Sequence, residues 1–170
     1  MSRDIFTDRL FLTPYAPEHA AQLNVMSSDP EVMRYLGDVE TMAETEAYIA
    51  KAQMRWQKYG FGWWSVFLRD SDTLVGAACL QHLAHEESAP LEIGWRLVPA
   101  FHGKGFATEA GRAAMEYGFQ QVGVDYLVSV AHRDNLASQK VMERLGMTYR
   151  GLETHYGESC AVYEITRPGL

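Results

Sequence analysis

The sequence predicts a single α+β domain with elements in the order β-α-α-α-β-β-β-α-β-α-β-β. Three observations predict it. Segments of alternating apolar and polar residues recur as strands, including two adjacent hairpin pairs. Longer segments with helical spacing carry start and stop signals at their ends. A strand, a glycine loop and a helix follow one another without interruption from Leu91 to Gln121. The 170 residues suit one domain with a real core, and the hydrophobic content of 47% is ordinary for a globular chain.

In chain order, Arg9 to Tyr15 reads as the first strand, with Leu10 and Leu12 on one face. Pro17 and Glu18 open a helix to about Ser27. Asp29-Pro30-Glu31 opens a short one, with Asp as N-cap, Pro at the first helical position and acid in the first turn; it ends near Leu36-Gly37. A longer helix runs from Thr41 to about Lys58 and stops at Gly60. Phe61 to Arg69 and Thr73 to Leu83 form a hairpin around Asp70-Ser71-Asp72, and a polar connection from His85 to Pro90 leads into the central strand. After the central helix come a strand at Tyr126 to Ala131 and a helix from Leu136 to Leu145. Two closing strands, Met147 to Thr154 and Ser159 to Thr166, join at Tyr156-Gly157-Glu158. There is no repeat, low-complexity segment or linker.

The central stretch carries the chemistry. Leu91, Ile93, Trp95 and Leu97 alternate against Glu92, Gly94 and Arg96, and Pro99 ends the strand by removing a backbone donor. The helix after Gly103-Lys104-Gly105 begins with unpaired N–H groups pointing one way, and glycine lets a large anion approach them. A phosphate or pyrophosphate is the expected ligand of residues 103–108, with Lys104 adding charge. A dinucleotide loop fails because Thr108 stands at its third glycine. A nucleotide P-loop fails because Val98 and Gly105 stand where it needs glycine and Ser/Thr.

His102-Gly103-Lys104-Gly105-Phe106-Ala107 fits the pattern Q/R-x-x-G-x-G/A except at its first residue. The run G-K-G-F-A-T-E-A, the opening TDRLFLTPYAPEHAAQLNVMSSDPEVMRYL and the later N-L-A-S-Q-K-V-M-E-R-L-G-M extend the likeness over most of the chain. On these residues the sequence resembles the GNAT superfamily of N-acetyltransferases, in its RimJ/RimL-like branch. The resemblance implies an α/β/α sandwich with a mixed, mostly antiparallel sheet splayed at its centre. It implies acetyl transfer from acetyl-CoA to a primary amine, by direct attack in a ternary complex. The acceptor is a protein N-terminus or a small-molecule amine. The alternative is a CoA-binding module or sensor without turnover.

The implied site falls into named positions. His102, Gly103, Lys104, Gly105, Phe106, Ala107 and Thr108 would hold CoA, His102 being either a phosphate donor or an exposed loop histidine. Leu97 and Val98 would pair their backbone with the pantetheine, and the Leu97 N–H would polarise the thioester. Asn135 would bind pantetheine and Ser138 would face the sulfur, against the reading of Asn135 as a simple N-cap. Many family members place an acidic Tyr seven residues after that Asn; here Met142 stands there, so Ser138 is the candidate acid. Glu92 is the candidate base, acting through water, against the reading of a surface carboxylate paired with Arg96 or a neighbouring strand. His132 reads better as a loop histidine than as a base.

Other features bound the function. A formal net charge of −7 argues against a nucleic-acid partner. No apolar run suits a membrane span, and MSRDIFTDRL has no apolar h-region, so a cytoplasmic protein is expected. Cys79 and Cys160 have no C-x-x-C partner and no paired base, which disfavours covalent catalysis. No metal is expected: His82, His85, Glu86 and Glu87 read as a solvated turn. One of Trp63 and Trp64 belongs in the core; the other, with Tyr35 and Phe61, is free to line an acceptor pocket. Edge strands at the C-terminal end would suit a homodimer.

Overall fold

The computed structural model describes residues 2–170 and contains one eight-stranded sheet flanked by helices. Its elements are β1 (Ile5–Phe6), β2 (Leu10–Pro14), α1 (Ala20–Ser27), α2 (Pro30–Met33), α3 (Met42–Tyr59), β3 (Trp63–Leu68), β4 (Leu74–His82), β5 (Leu91–Leu97), α4 (Phe106–Tyr117), β6 (Tyr126–His132), α5 (Leu136–Arg144), β7 (Thr148–His155) and β8 (Glu158–Thr166). The strand order is β1-β2-β3-β4-β5-β6-β8-β7, antiparallel throughout except where β5 meets β6.

Three details depart from the pattern expected above. A two-residue strand, β1, pairs with β2 through Ile5 and Leu12 and precedes the expected first strand. Two apolar residues among charges give too little alternation to read as a strand. The helix after Asp29 closes already at Met33. The central helix ends at Tyr117 and continues as a wider turn over Gly118–Val122, which Gly123 terminates in the left-handed conformation.

Alternation puts the two faces of the sheet against different helices. Leu10, Leu12, Trp64, Val66, Ala78, Leu80, Ile93 and Leu127 meet Ala110, Ala113, Ala114 and Met115 of α4 and Val141 and Met142 of α5. The opposite face presents Phe67 and Ala77 to Leu23 and Met26 of α1 and Ile49 and Ala52 of α3. Each fully buried Leu, Ile or Trp of this kind contributes roughly 1.5–3 kcal/mol. α3 is held by Thr41 and Glu44, which cap each other's backbone, and ends at Gly60 with φ 77°. At its end the Trp56 indole donates to the Trp63 carbonyl at 2.9 Å.

The small residues of α4 set its distance from the sheet. A Cβ on Gly111 would stand 3.1 Å from both Trp95 of β5 and Leu145 beyond α5. Gly76 on β4 lies tighter still, where an added Cβ would come within 2.2 Å of the Arg96 carbonyl. A bulge between β3 and β4 at Val66/Phe67 lies beside it. Gly76→Ala is therefore expected to cost about 3 kcal/mol or more, read as a lowered thermal midpoint, because the clash is with backbone that cannot turn away. A variant melting like the parent would contradict this packing.

Candidate active site

The site begins where the sheet opens. β5 and β6 are paired only at Leu91↔Leu127 and Glu92↔Val128, and beyond those pairs the strands part. The Ser129 hydroxyl closes the apex by donating to the Ile93 carbonyl at 2.9 Å. On its other side β5 stays paired with β4 from His82↔Leu91 to Gly76↔Leu97.

The antiparallel ladder decides which β5 amides are free. The Val98 N–H donates to the Val75 carbonyl at 2.9 Å. Hydrogen-bonded pairs alternate along such a ladder, so Arg96, Gly94 and Glu92 also face β4, while Leu97 and Trp95 turn their backbone into the opening. Leu97 is thus placed as expected. Val98 is not, since its N–H is engaged by Val75 and its carbonyl accepts from Phe101 at 2.9 Å. Trp95 presents a cleft-facing amide that side-chain reasoning missed, although the period-2 alternation already implied it.

The glycine loop sits at the mouth of this opening. Gly103 (φ 74°) and Gly105 (φ 81°) are left-handed, and an added Cβ on Gly103 would meet nothing within 4 Å. The first helical bond of α4 runs from Glu109 to the Gly105 carbonyl, so the N–H groups of residues 103–108 have no protein acceptor among the described residues. The Thr108 hydroxyl is buried and equally without a partner. Six free donors, a lysine and an orphaned hydroxyl around open space fit a pyrophosphate. His102 points instead back to the strand, its Nε2 lying 3.3 Å from the Leu97 carbonyl. Phe106 is buried and Ala107 half-buried against the core.

A brace fixes the loop to the rest of the sheet. Arg9 donates through Nε to Glu109 at 2.8 Å and through Nη1 to the Lys104 carbonyl at 2.8 Å, with its guanidinium 4.3 Å from the centre of the Phe106 ring. Glu109 also accepts from the Thr7 hydroxyl at 2.6 Å. From sequence Glu109 suits the helix dipole; the structure adds that it ties α4 to the segment leading into β2. These donors hold its carboxyl below the usual range, against burial, which acts in the opposite direction.

Glu92 is buried, with 5% exposure, on the face opposite α4. It is not paired with Arg96, which turns toward Glu40 (3.9 Å) and the Tyr15 hydroxyl (3.3 Å). Its Oε1 accepts from Gln81 Nε2 at 2.8 Å and from the Tyr156 hydroxyl, while Oε2 has no protein partner among the described residues. Gln81 is oriented in turn by the Trp63 indole N–H at 3.2 Å, and Tyr156 by the Ala84 N–H at 3.0 Å. Burial raises the Glu92 carboxyl above its ordinary value, and the two donors partly offset that shift. A carboxyl with one oxygen held by two donors and the other without a protein partner has the means to accept a proton. In the sequence Tyr156 reads only as part of a turn; its contact with Glu92 is long-range and leaves no local signal.

On the far side of the opening, Asn135 caps α5 by accepting from the Ser138 N–H at 3.2 Å, and its Nδ2 has no partner among the described residues. The Ser138 hydroxyl is half-buried and makes no protein hydrogen bond among the described residues. Met142 is 1% exposed and packs in the core. His132 accepts the Asp134 N–H at 3.1 Å and stacks on Tyr35 at 5.1 Å. Trp64 is wholly buried, whereas Trp63 stands beside Gln81. Cys79 and Cys160 are buried free thiols whose pKa values burial raises. Glu87 is engaged by Lys58 and Tyr59, and His82 packs edge-on to Tyr59 and Phe61.

Comparison with known proteins agrees with this geometry. Residues 9–148 match the acetyltransferase (GNAT) domain. The chain belongs to the GNAT acetyltransferase family. An uncharacterized N-acetyltransferase of Bacillus subtilis, YnaD, is 30% identical over 149 residues, covering 86% of this chain and 84% of the relative. The crystal structure of a GNAT acetyltransferase from Bacillus anthracis superposes with a TM-score of 0.82 at 26% identity, over 96% of this chain and 98% of that one. RimL, the ribosomal L7/L12 alpha-N-protein acetyltransferase, solved with coenzyme A, shares the fold at a TM-score of 0.79 and 18% identity, over 96% and 98% of the two chains. This GNAT chain is accordingly an N-acetyltransferase.

Because the Tyr156 hydroxyl and Gln81 both favour the ionised form of Glu92, removing either lets burial dominate further. In Tyr156→Phe the acid limb of the pH–rate profile is expected to move to higher pH, with activity recovered at alkaline pH. An unmoved limb would remove Glu92 from the proton-accepting role or Tyr156 from its support.

Proposed function

We propose that this GNAT enzyme uses acetyl-CoA to acetylate a primary amine by direct attack in a ternary complex, in the manner of RimJ/RimL-like members. The observation that carries the proposal is the opening between β5 and β6, lined on one strand by free amides and ended by six unpartnered N–H groups. Acetyl-CoA supplies an activated acyl group and a sulfur leaving group. The N–H groups of residues 103–108, with Lys104 and the Thr108 hydroxyl, hold the pyrophosphate. Trp95 and Leu97 offer backbone to the pantetheine amides, as an added strand would find. The Leu97 N–H is aimed to polarise the thioester carbonyl. The free Asn135 Nδ2 steadies the pantetheine from the other strand.

Glu92 accepts the amine proton at Oε2 through water, and Ser138 donates a hydrogen bond to the departing thiolate. Met142, enclosed in the core, has no part in that step. The acceptor is a primary amine of a small molecule or a protein N-terminus; RimL, which shares the fold, supports the latter. Two buried thiols, shifted upward first by burial and further by nearby carboxylates, favour direct attack over an acyl-enzyme.

The test is calorimetric titration with acetyl-CoA followed by thiol release with a mixed amine and peptide panel. Binding with amine-dependent release is expected; binding without release on any amine would favour a sensor, and no binding would remove the site. Lys104→Glu should weaken acetyl-CoA binding about tenfold with an unchanged melting temperature, since it reverses a charge beside the pyrophosphate. Ser138→Ala should lower turnover more than acetyl-CoA affinity. Parental turnover in that variant would exclude Ser138 from leaving-group stabilisation.

A further inference from the structure

At the end of the sheet away from the glycine loop lies a cavity of about 570 Å³, of a size that suits a small-molecule ligand. Its walls are α3, the residues leading into β3, the end of β4 and the turn after it. Lys51, Arg55 and Lys58 of α3 line it together with His85, and no carboxylate does. Lys58 is neutralised by Glu87. Lys51 and Arg55 form no ion pair among the described residues. They stand one turn apart on the same helix face, where like charges repel unless something negative lies between them and the wall. In a chain with net charge −7, an unbalanced cationic pair facing a cavity is a local feature that the overall charge does not explain.

The cavity shares its inner wall with the catalytic carboxylate. Gln81 lines the cavity and donates to Glu92 Oε1 at 2.8 Å. His85 lines it as well, with its ring edge-on to Tyr156 at 6.0 Å, and Tyr156 donates to the same oxygen. The nearness of Arg55 and Lys51 is also felt by His85, whose pKa is lowered first by burial and then by those two charges. His85 of this wall (φ 61°), its neighbour Ala84 (φ 54°) and Tyr156 (φ 54°), whose ring lies edge-on to His85, are left-handed non-glycine residues. Such strain persists where the surroundings impose a particular side-chain position, and it concentrates at binding sites. The cavity is not a second CoA-phosphate site: the seven residues of β5 separate it from the glycine loop by roughly 20 Å.

We infer that this cavity is the acceptor pocket, and that the acceptor is a primary amine carrying an anionic group, carboxylate or phosphate, which Lys51 and Arg55 hold while the amine lies at Glu92. The inference rests on the acetyl-transfer reading above and adds the charge of the substrate to it. Arg55 offers a planar fork for a carboxylate or phosphate, and Lys51 adds a mobile point charge at the rim.

The test compares matched acceptors in the acetyl-CoA thiol-release assay: the amidated dipeptide Ser-Glu against Ser-Gln, and phosphoethanolamine against ethanolamine. The anionic member of at least one pair is expected to show a kcat/KM about tenfold higher or more, shrinking as ionic strength rises. The pair that responds distinguishes a peptide N-terminus from a small phosphorylated amine. Lys51→Gln and Arg55→Gln should bring the ratio toward one, Arg55→Glu should invert it, and Arg55→Lys should retain part of it. Acetyl-CoA affinity, measured calorimetrically on each variant, reports whether the fold and the cofactor site persist. A parental ratio of one or less, a ratio unmoved by the α3 variants, or bound acetyl-CoA with no turnover of either pair would overturn the inference while leaving the CoA site standing. Failure of the parent to bind acetyl-CoA would instead remove the acetyl-transfer reading, and this inference with it.

Discussion

Beyond Glu92 the central strand loses its neighbour on one side, and the site follows from that loss. Backbone N–H and C=O groups in a sheet need partners, and unpaired ones away from water are costly. Here β5 keeps its ladder with β4 but shares only two residue pairs with β6. The ladder's alternation then gives Val98 to β4 and leaves Trp95 and Leu97 facing the gap. A ligand with its own amides can complete the interrupted ladder. The gap persists because each strand is anchored elsewhere: β5 by β4 and α4, β6 by β8 over seven residue pairs.

Around that gap the two faces of the sheet have different work. On one face α4 delivers its N-terminal donors, set close to the sheet by Gly111 and braced by Arg9 through Glu109 and the Lys104 carbonyl. On the other face Glu92 sits in a hydrogen-bonded chain of Trp63, Gln81 and Tyr156, and Gln81 also lines a cavity with Lys51 and Arg55. The glycine-loop donors and the buried carboxylate therefore lie toward opposite ends of β5. The strand itself is the rigid element that holds their spacing, because it is built from backbone pairs and buried side chains rather than from loops.

What was legible in the sequence was local. Strand alternation, the Pro99 break, the two glycines and the cap at Asp29 each depend on neighbours a few residues away, and the structure shows those elements with small shifts of their ends. That the Leu97 backbone faces the gap follows from strand parity alone. The same parity, applied one residue further, shows that Val98 belongs to β4. What was not legible depends on residues far apart in the chain. Tyr156 reaches Glu92 from 64 positions away, and Arg9 reaches Glu109 from 100. The position of β8 between β6 and β7 likewise comes from long-range pairing that no local pattern encodes. Met142 packs in the core, a contact that appears only in three dimensions.

The most direct test of the central claim is amide hydrogen exchange resolved to single residues, with and without saturating acetyl-CoA. If the opening between β5 and β6 is the ligand's seat, the Trp95 and Leu97 amides and those of residues 103–108 should gain protection on binding. The Val98 amide, already bonded to Val75, should stay as it was. Binding that protects none of the cleft-facing amides, or that protects Val98 in place of Leu97, would contradict the account.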